Sequence, residues 1–150
     1  MLRLIRVAGD SMAPTYRSAD LLLARSVGSA TVRRGDVVVF RRGALRLIKR
    51  VAGVPGDRIE MEAGRLFVTG ASATDIGGAD DGYRSRGAYT QTWRVPASSY
   101  FMAGDNPGVS DDSRVWTEPF VAVGSVDAVV TRRLPGFRAG RRAVAAARAA

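Results

Sequence analysis

The chain of 150 residues contains no cysteine and no histidine. These absences exclude disulfide bonds, thiol nucleophiles, Ser-His triads and the usual zinc sites. No window approaches the roughly 18–20 uninterrupted apolar residues of a membrane-spanning helix, and residues 2–8 are too short and too charged for the apolar core of a signal peptide. We therefore expect no cofactor and no metal, and the chain shows neither a transmembrane segment nor a signal peptide.

Lysine is almost absent as well. Of the 23 Lys and Arg residues, only Lys49 is a lysine. A guanidinium stays protonated, whereas a lysine amine can lose its proton when it is buried. Residues 44–53 alternate as in a β-strand, which places Lys49 on the same face as Leu45, Leu47 and Val51. Two interpretations follow: the amine extends from the strand edge into water, or it is buried, neutral and able to act as a base.

The positive charge is concentrated at one end of the sequence. The net charge is +9, and residues 132–150 contain six arginines and no acidic residue, so the remainder carries about +3 (nine minus six). We expect a catalytic domain over residues 1–131 and a basic tail over residues 132–150. If the tail is helical from residue 137 onward, its arginines favour a weakly amphipathic surface helix. A solvated tail without fixed structure is the alternative.

Short apolar segments between turn-forming residues predict a mainly β fold with little helix. Within the domain, residues of about 58–103 are expected to form a β insertion lobe, and residues 70–92 predict a long surface loop because they lack apolar periodicity. Gly124 is a candidate β-bulge in the last strand. The predicted strands are 2–8, 20–25, 37–40, 44–53, 58–62, 65–69, 93–95, 100–103 and 121–130.

With cysteine and histidine excluded, a serine activated by a lysine is one of the few covalent mechanisms left. The ordinary lysine pKa is about 10.4, and burial among apolar neighbours lowers it towards the range in which a general base works. This makes Lys49 a plausible base. It does not select the serine, because the chain contains many serines.

Four motifs together select a family. In chain order they are Gly9-Asp-Ser-Met-Ala-Pro-Thr15, Gly35-Asp-Val-Val-Val-Phe40, Lys49-Arg-Val-Ala-Gly-Val-Pro-Gly-Asp57, and Gly104-Asp-Asn with Ser110-Asp-Asp-Ser-Arg114. With these motifs, the sequence resembles type I signal peptidases, the Ser/Lys serine endopeptidases that remove signal peptides, from about residue 7 to residue 130. The resemblance implies a signal-peptidase-like fold of short antiparallel strands with a β insertion.

The resemblance also implies the roles of the site residues. Ser11 would be the nucleophile, and its backbone N–H would help to stabilise the oxyanion. Lys49 would be the general base and would later protonate the leaving amine. Ser110 would orient the lysine amine, and Asp112 and Arg114 would form a supporting ion pair.

Three positions depart from the family pattern. Gly9 stands where some members have a serine whose hydroxyl is a second oxyanion donor, so a backbone N–H or water would have to replace it. Pro107 replaces an arginine, and Thr117 stands where glycine is common. Asp36 and Asp57, each directly after a glycine, are expected to be turn residues rather than catalytic ones.

The implied substrate is a preprotein or leader peptide that binds in an extended conformation beside the Ser11 and Lys49 strands and is cut after small residues. The implied location is membrane-associated, at the extracytoplasmic face. Family members normally carry N-terminal membrane anchors, and none is visible here, so we expect action at the membrane surface. Nucleic-acid binding is not expected.

Two other functions remain as alternatives. A self-cleaving domain of the LexA type also pairs a Ser-Met serine with a strand lysine, but it has no place for the Val-Pro-Gly-Asp and Ser-x-Asp-Ser-Arg motifs. A non-enzymatic module could instead bind membranes or nucleic acid through its basic tail.

Overall fold

A computed structural model describes residues 1–28, 31–63, 65–69, 74–75, 91–135 and 145–148. These residues form many short strands and one 3₁₀ turn, which confirms the mainly β fold with little helix. None of their helical segments is long and apolar enough to cross a membrane. The strands are β1 (Leu2–Ala8), β2 (Leu21–Ser26), β3 (Val37–Arg42), β4 (Leu45–Gly53), β5 (Arg58–Glu62), β6 (Arg65–Thr69), β7 (Thr74–Asp75), β8 (Gln91–Arg94), β9 (Ser99–Ala103), β10 (Phe120–Ala122), β11 (Val126–Leu134) and β12 (Ala145–Arg148).

Eight of these strands form the sheet that carries Lys49. Their order is β10-β9-β4-β12-β1-β2-β11-β3, and β3 pairs back with β4, so six strands close into a ring. β3 lies along one edge of β4, whereas β9 pairs with the other edge from Arg50 onward and β12 pairs with that edge at Leu47. β4 is therefore the strand on which three neighbours converge.

The apolar run Val37–Phe40 is buried on both faces, as its continuous β-branched and aromatic composition predicts. Alternate residues of β3 enter two different hydrophobic clusters, and β4 does the same with Ile48 in one cluster and Leu47 and Val51 in the other. The residues around Lys49 are thus held between two apolar layers.

The other four strands form a second sheet in the order β7-β6-β5-β8, packed around Ile59, Leu66 and Val68. The predicted loop over residues 70–92 lies mostly outside the described residues; within it, Thr74–Asp75 form β7 and β8 begins at Gln91. β9, which falls inside the predicted insertion of about 58–103, pairs with β4 in the larger sheet. The division into domains stays a prediction.

Two predictions about the end of the chain are wrong. Residues 121–130 are not one strand: β10 ends at Ala122, a 3₁₀ turn spans Val123–Ser125, and β11 then continues to Leu134. Gly124 therefore lies in a turn rather than in a bulge. Residues 145–148 are neither helical nor unstructured, because they form β12 with backbone pairing to β1 and β4. The remaining tail residues, 136–144 and 149–150, lie outside the described residues.

Candidate active site

Ser11 lies in the turn that follows β1. The strand ends at Ala8, and the chain reverses at Gly9, whose φ of 95° is a conformation that favours glycine. This turn directs Ser11 inward, so the serine is 1% exposed although it lies on a loop. The Gly9 N–H donates to Ser18 Oγ at 3.4 Å. The glycine that departs from the family pattern thus has a definite structural role in the turn.

Lys49 reaches Ser11 from β4. Its Nζ donates to Ser11 Oγ at 2.7 Å and to Ser110 Oγ at 3.2 Å, and its side chain is fully buried. Of the two interpretations of the sequence, extension into water is therefore wrong and burial is right. The two residues are 38 positions apart in the chain, and the fold brings them into hydrogen-bonding distance.

The electrostatic environment of Lys49 favours loss of its proton. Burial lowers the pKa of Lys49 from 10.5 to about 8, and the Arg114 charge acts in the same direction. The Asp112 and Asp111 carboxylates oppose this effect, but burial outweighs them. At a pH near 8, about half of the molecules would therefore carry a neutral amine.

Ser110, Asp112 and Arg114 form a continuous network behind Lys49. Ser110 Oγ donates to Asp112 Oδ2 at 2.5 Å, and Arg114 binds both carboxylate oxygens, with Nε at 2.9 Å from Oδ1 and Nη2 at 2.5 Å from Oδ2. Burial opposes ionisation of Asp112, but hydrogen bonds from Arg114, the Gly104 N–H and Ser110 hold its pKa below the ordinary value. Because the Ser110 hydroxyl donates its hydrogen bond to Asp112, its oxygen is free to accept a hydrogen bond from Lys49.

Gly104 lies where the loop that carries Ser110 packs closely against the turn that carries Ser11. A Cβ atom at this position would lie 2.6 Å from the carbonyl oxygen of Ser11 and would overlap the side chain of Ser110. Only glycine allows the loop that carries Ser110 to approach the turn that carries Ser11.

A second polar network lies beside Ser11 and Lys49. It was not predicted from the sequence. Arg50 forms a bidentate pair with Asp105, with Nε–Oδ1 and Nη2–Oδ2 distances of 2.8 Å and 2.5 Å. Thr15 Oγ1 donates to Asp105 Oδ2 at 2.6 Å, and the Asn106 N–H donates to the Ser11 carbonyl at 2.9 Å. This network ties the loop after β9 to the turn that carries Ser11.

Two residues of that network could have been predicted from the sequence. Asp105 and Asn106 belong to the Gly-Asp-Asn motif, which could have marked them as site residues. The pairing with Arg50 spans 55 positions and has no local signature. A cavity of about 300 Å³ adjoins this network, with Gly104, Asp105, Pro107 and Arg114 among its lining residues.

Asp36 and Asp57 lie in turns, as expected. Asp36 Oδ2 accepts from the Arg33 N–H at 2.8 Å, and Asp57 Oδ2 accepts from the Val54 N–H at 2.9 Å. Asp57 also pairs with Arg34 at 2.6 Å. Among the residues described, no three His, Cys, Asp or Glu side chains are placed to hold a metal ion.

Comparison with known proteins identifies the family. The profile of the family described as "Signal peptidase, peptidase S26" matches residues 1–134. The chain therefore belongs to this family of peptidases.

Two sequence relatives agree with that assignment. The chain is 35% identical to signal peptidase I of Pseudomonas fluorescens over 115 residues, which cover 58% of this chain and 40% of the relative. It is 34% identical to signal peptidase I V of Bacillus subtilis over 122 residues, which cover 73% of each chain. A solved signal peptidase I from Enterococcus faecalis is 29% identical, with a TM-score of 0.49 over 68% of this chain and 98% of that chain.

The match spans only part of some relatives. It covers 40% of the Pseudomonas fluorescens enzyme and 61% of the signal peptidase I of Pseudomonas aeruginosa.

Proposed function

We propose that this protein is a serine endopeptidase in which Ser11 is the nucleophile and Lys49 the general base. The observation that carries the proposal is the 2.7 Å distance between Lys49 Nζ and Ser11 Oγ, with both residues buried. A neutral amine at that distance can accept the hydroxyl proton directly.

The proposed reaction uses Ser11 Oγ and Lys49 Nζ at these positions. Ser11 Oγ attacks the scissile carbonyl carbon and its proton passes to Lys49 Nζ. The N–H of Ser11 supports the proposed oxyanion role, since it donates to no acceptor among the described residues. Collapse of the tetrahedral intermediate transfers the proton from Lys49 to the leaving amine and leaves an ester on Ser11. Water then attacks the ester carbonyl carbon while Lys49 accepts its proton, the bond between that carbon and Ser11 Oγ breaks, Lys49 returns the proton to Ser11 Oγ, and the carboxyl product leaves.

Ser110, Asp112 and Arg114 are positioning residues in this mechanism. Asp112 is fixed by Arg114, Ser110 is fixed by Asp112, and Ser110 in turn holds the amine of Lys49. The arrangement places one neutral hydroxyl between the lysine and the carboxylate. A direct Lys49–Asp112 ion pair would keep the amine protonated and unsuitable as a base.

The proposed substrate is an extended segment of a preprotein or leader peptide, cut after small residues. Membership of the signal peptidase family supports this substrate class. We also propose that the protein acts at a membrane surface on the extracytoplasmic side. Exposed apolar side chains at the start of β1 support contact with a membrane, because Met1 is 88% exposed and Leu2 is 62% exposed.

Cleavage of a synthetic peptide with an Ala-x-Ala sequence tests the proposal. The wild-type chain is expected to cut it once, and Ser11→Ala is expected to reduce the rate to background. Ser98→Ala is the matched control, because Ser98 is an exposed serine in the turn before β9, away from Ser11, and this variant should cleave at the wild-type rate. Equal rates for the wild type and Ser11→Ala would overturn the proposal. Cleavage of the chain itself, with none of the added peptide, would instead favour the LexA-type alternative.

A further inference from the structure

β12 lies between the two strands that lead to the dyad. It pairs in parallel with β1, from Ile5↔Ala145 to Ala8↔Arg148, and in parallel with β4 at Arg148↔Leu47. On that edge of β4, β9 pairs only from Arg50 onward. Without β12, the facing edges of β1 and of the first half of β4 would both lack a strand partner, which is the arrangement that accepts an extended peptide by strand addition.

The direction of β12 brings it towards the reacting groups. Arg148 lies opposite Ala8, three residues before Ser11, and opposite Leu47, two residues before Lys49. Because all three strands are parallel, β12 runs towards the dyad with its carboxyl end leading. The residues that precede a scissile bond would have to approach Ser11 in this direction.

The side chains of β12 also fit a narrow groove. Ala147 is fully buried, lies opposite Val7 and belongs to the same hydrophobic cluster as Val7 and Ile48. The next residue, Arg148, is exposed. The groove therefore accepts a methyl group at one position and a large charged side chain at the next, in the alternation of an extended peptide.

We propose that residues 145–148 are an internal ligand: they occupy the groove between β1 and β4, where the proposed extended substrate would pair, and so limit access of peptides. This inference rests on the proposed peptidase function and adds a form of regulation at the same site. A tethered segment acts at an effective concentration in the millimolar range. If it leaves the groove open in about one molecule in ten, the apparent affinity for an added peptide falls about tenfold.

Peptide binding tests the inference without requiring catalysis. In a full-length Ser11→Ala background, the probe is a fluorescent peptide with the sequence of residues 143–150. Ala147→Arg should expel β12, because an arginine cannot fit the buried position, and the probe should then bind about tenfold more tightly. Ala128→Arg is the matched control: Ala128 is a fully buried alanine of the same cluster, but it lies in β11, away from the groove. This control should show no gain in binding.

Two results would overturn the inference. One is equal probe affinity in the parent and a folded Ala147→Arg variant. The other is unfolding of Ala147→Arg that the unlabelled peptide cannot reverse, since this would make β12 a structural strand rather than a ligand. Addition of that peptide should instead raise the Tm of Ala147→Arg, because binding to the folded state stabilises it.

Kinetics separate this inference from the proposed function. With Ser11 intact, Ala147→Arg should raise kcat/KM for the Ala-x-Ala peptide about tenfold, mainly by lowering KM. If neither the wild type nor Ala147→Arg cleaves the peptide but Ala147→Arg still binds the probe more tightly, the peptidase proposal fails and the internal ligand is supported. If the wild type and Ala147→Arg cleave with equal KM and their Ser11→Ala forms bind the probe equally, the peptidase proposal is supported and residues 145–148 are not an internal ligand.

Discussion

Lys49 and Arg50 are neighbours on β4 with opposite electrostatic environments. Lys49 is fully buried and donates to two serine hydroxyls, and burial lowers its pKa to about 8. Arg50 donates to the Asp105 carboxylate and to the Gly35 carbonyl, and the hydrogen bonds with Asp105 raise its pKa. One strand thus carries a cation that can lose its proton beside one that cannot.

The difference shows that the type of partner matters as much as burial. A carboxylate in direct contact would stabilise the protonated form of Lys49, and the hydroxyl of Ser110 separates the amine from Asp112 instead. Arg50 has no such spacer and serves as a fixed clamp on the loop after β9. The permanent charge of Arg50 fixes the loop after β9, and in the proposed mechanism the amine of Lys49 transfers the proton.

Of the changes considered, replacing Lys49 by arginine should lower the rate of peptide cleavage most, and replacing Arg50 by lysine is its counterpart. Lys49→Arg keeps a positive charge but removes the base, because guanidinium does not release its proton at ordinary pH. We expect peptide cleavage to fall about a thousandfold or more. Arg50→Lys keeps a charge beside Asp105 but loses the bidentate geometry. Because Arg50 takes no part in the proposed proton transfer, we expect the rate to fall less than about tenfold. Both rates are measured with the Ala-x-Ala peptide at pH 8, and comparable losses in the two variants would contradict the distinction between base and clamp.

The proposed pairing of Ser11 with Lys49 could be suggested from the sequence because both residues lie in local patterns. Lys49 occupies an alternating apolar strand and is the only lysine, and Ser11 lies in a constrained turn within a recognisable motif. The Arg50–Asp105 pair was less accessible, since these residues meet across 55 positions and no local pattern predicts their pairing.

The two errors at the end of the chain have a common physical cause. Val121–Val130 has the composition of one strand, but β10 pairs with β9 whereas β11 pairs with β2 and β3, so the chain must turn between them. Alanine has a high helix propensity, yet Ala145–Arg148 is extended because it completes the backbone pairing of β1 and β4. In both segments, non-local pairing overrides the local preference.

Removing one carboxylate from each network should show that the buried ion pair contributes more to the free energy of unfolding than the partly exposed one. The Asp112 side chain is fully buried against Arg114, whereas Asp105 and Arg50 are 17% and 24% exposed. Asp112→Asn leaves the Arg114 charge without a partner and should lower the free energy of unfolding by about 3 kcal/mol. Asp105→Asn should lower it by about 1 kcal/mol. Urea denaturation of the two variants measures both values, and equal losses would show that burial does not distinguish the networks.

The smallest effect concerns a charge that reaches Lys49 only through space. Asp111 is exposed, and its carboxylate raises the pKa of Lys49. The cleavage rate of the wild type should rise with pH as the amine loses its proton, reach half of its maximum near pH 8 and then level off. Asp111→Asn removes a charge that stabilises the protonated amine, so its midpoint should lie at slightly lower pH. Salt should abolish this difference because the carboxylate is in solvent, and the two profiles should coincide at about 1 M ionic strength, where the screening length is about 3 Å. A midpoint that moves to higher pH in Asp111→Asn, or a wild-type profile that is flat from pH 6 to 10, would show that the titrating base is not Lys49.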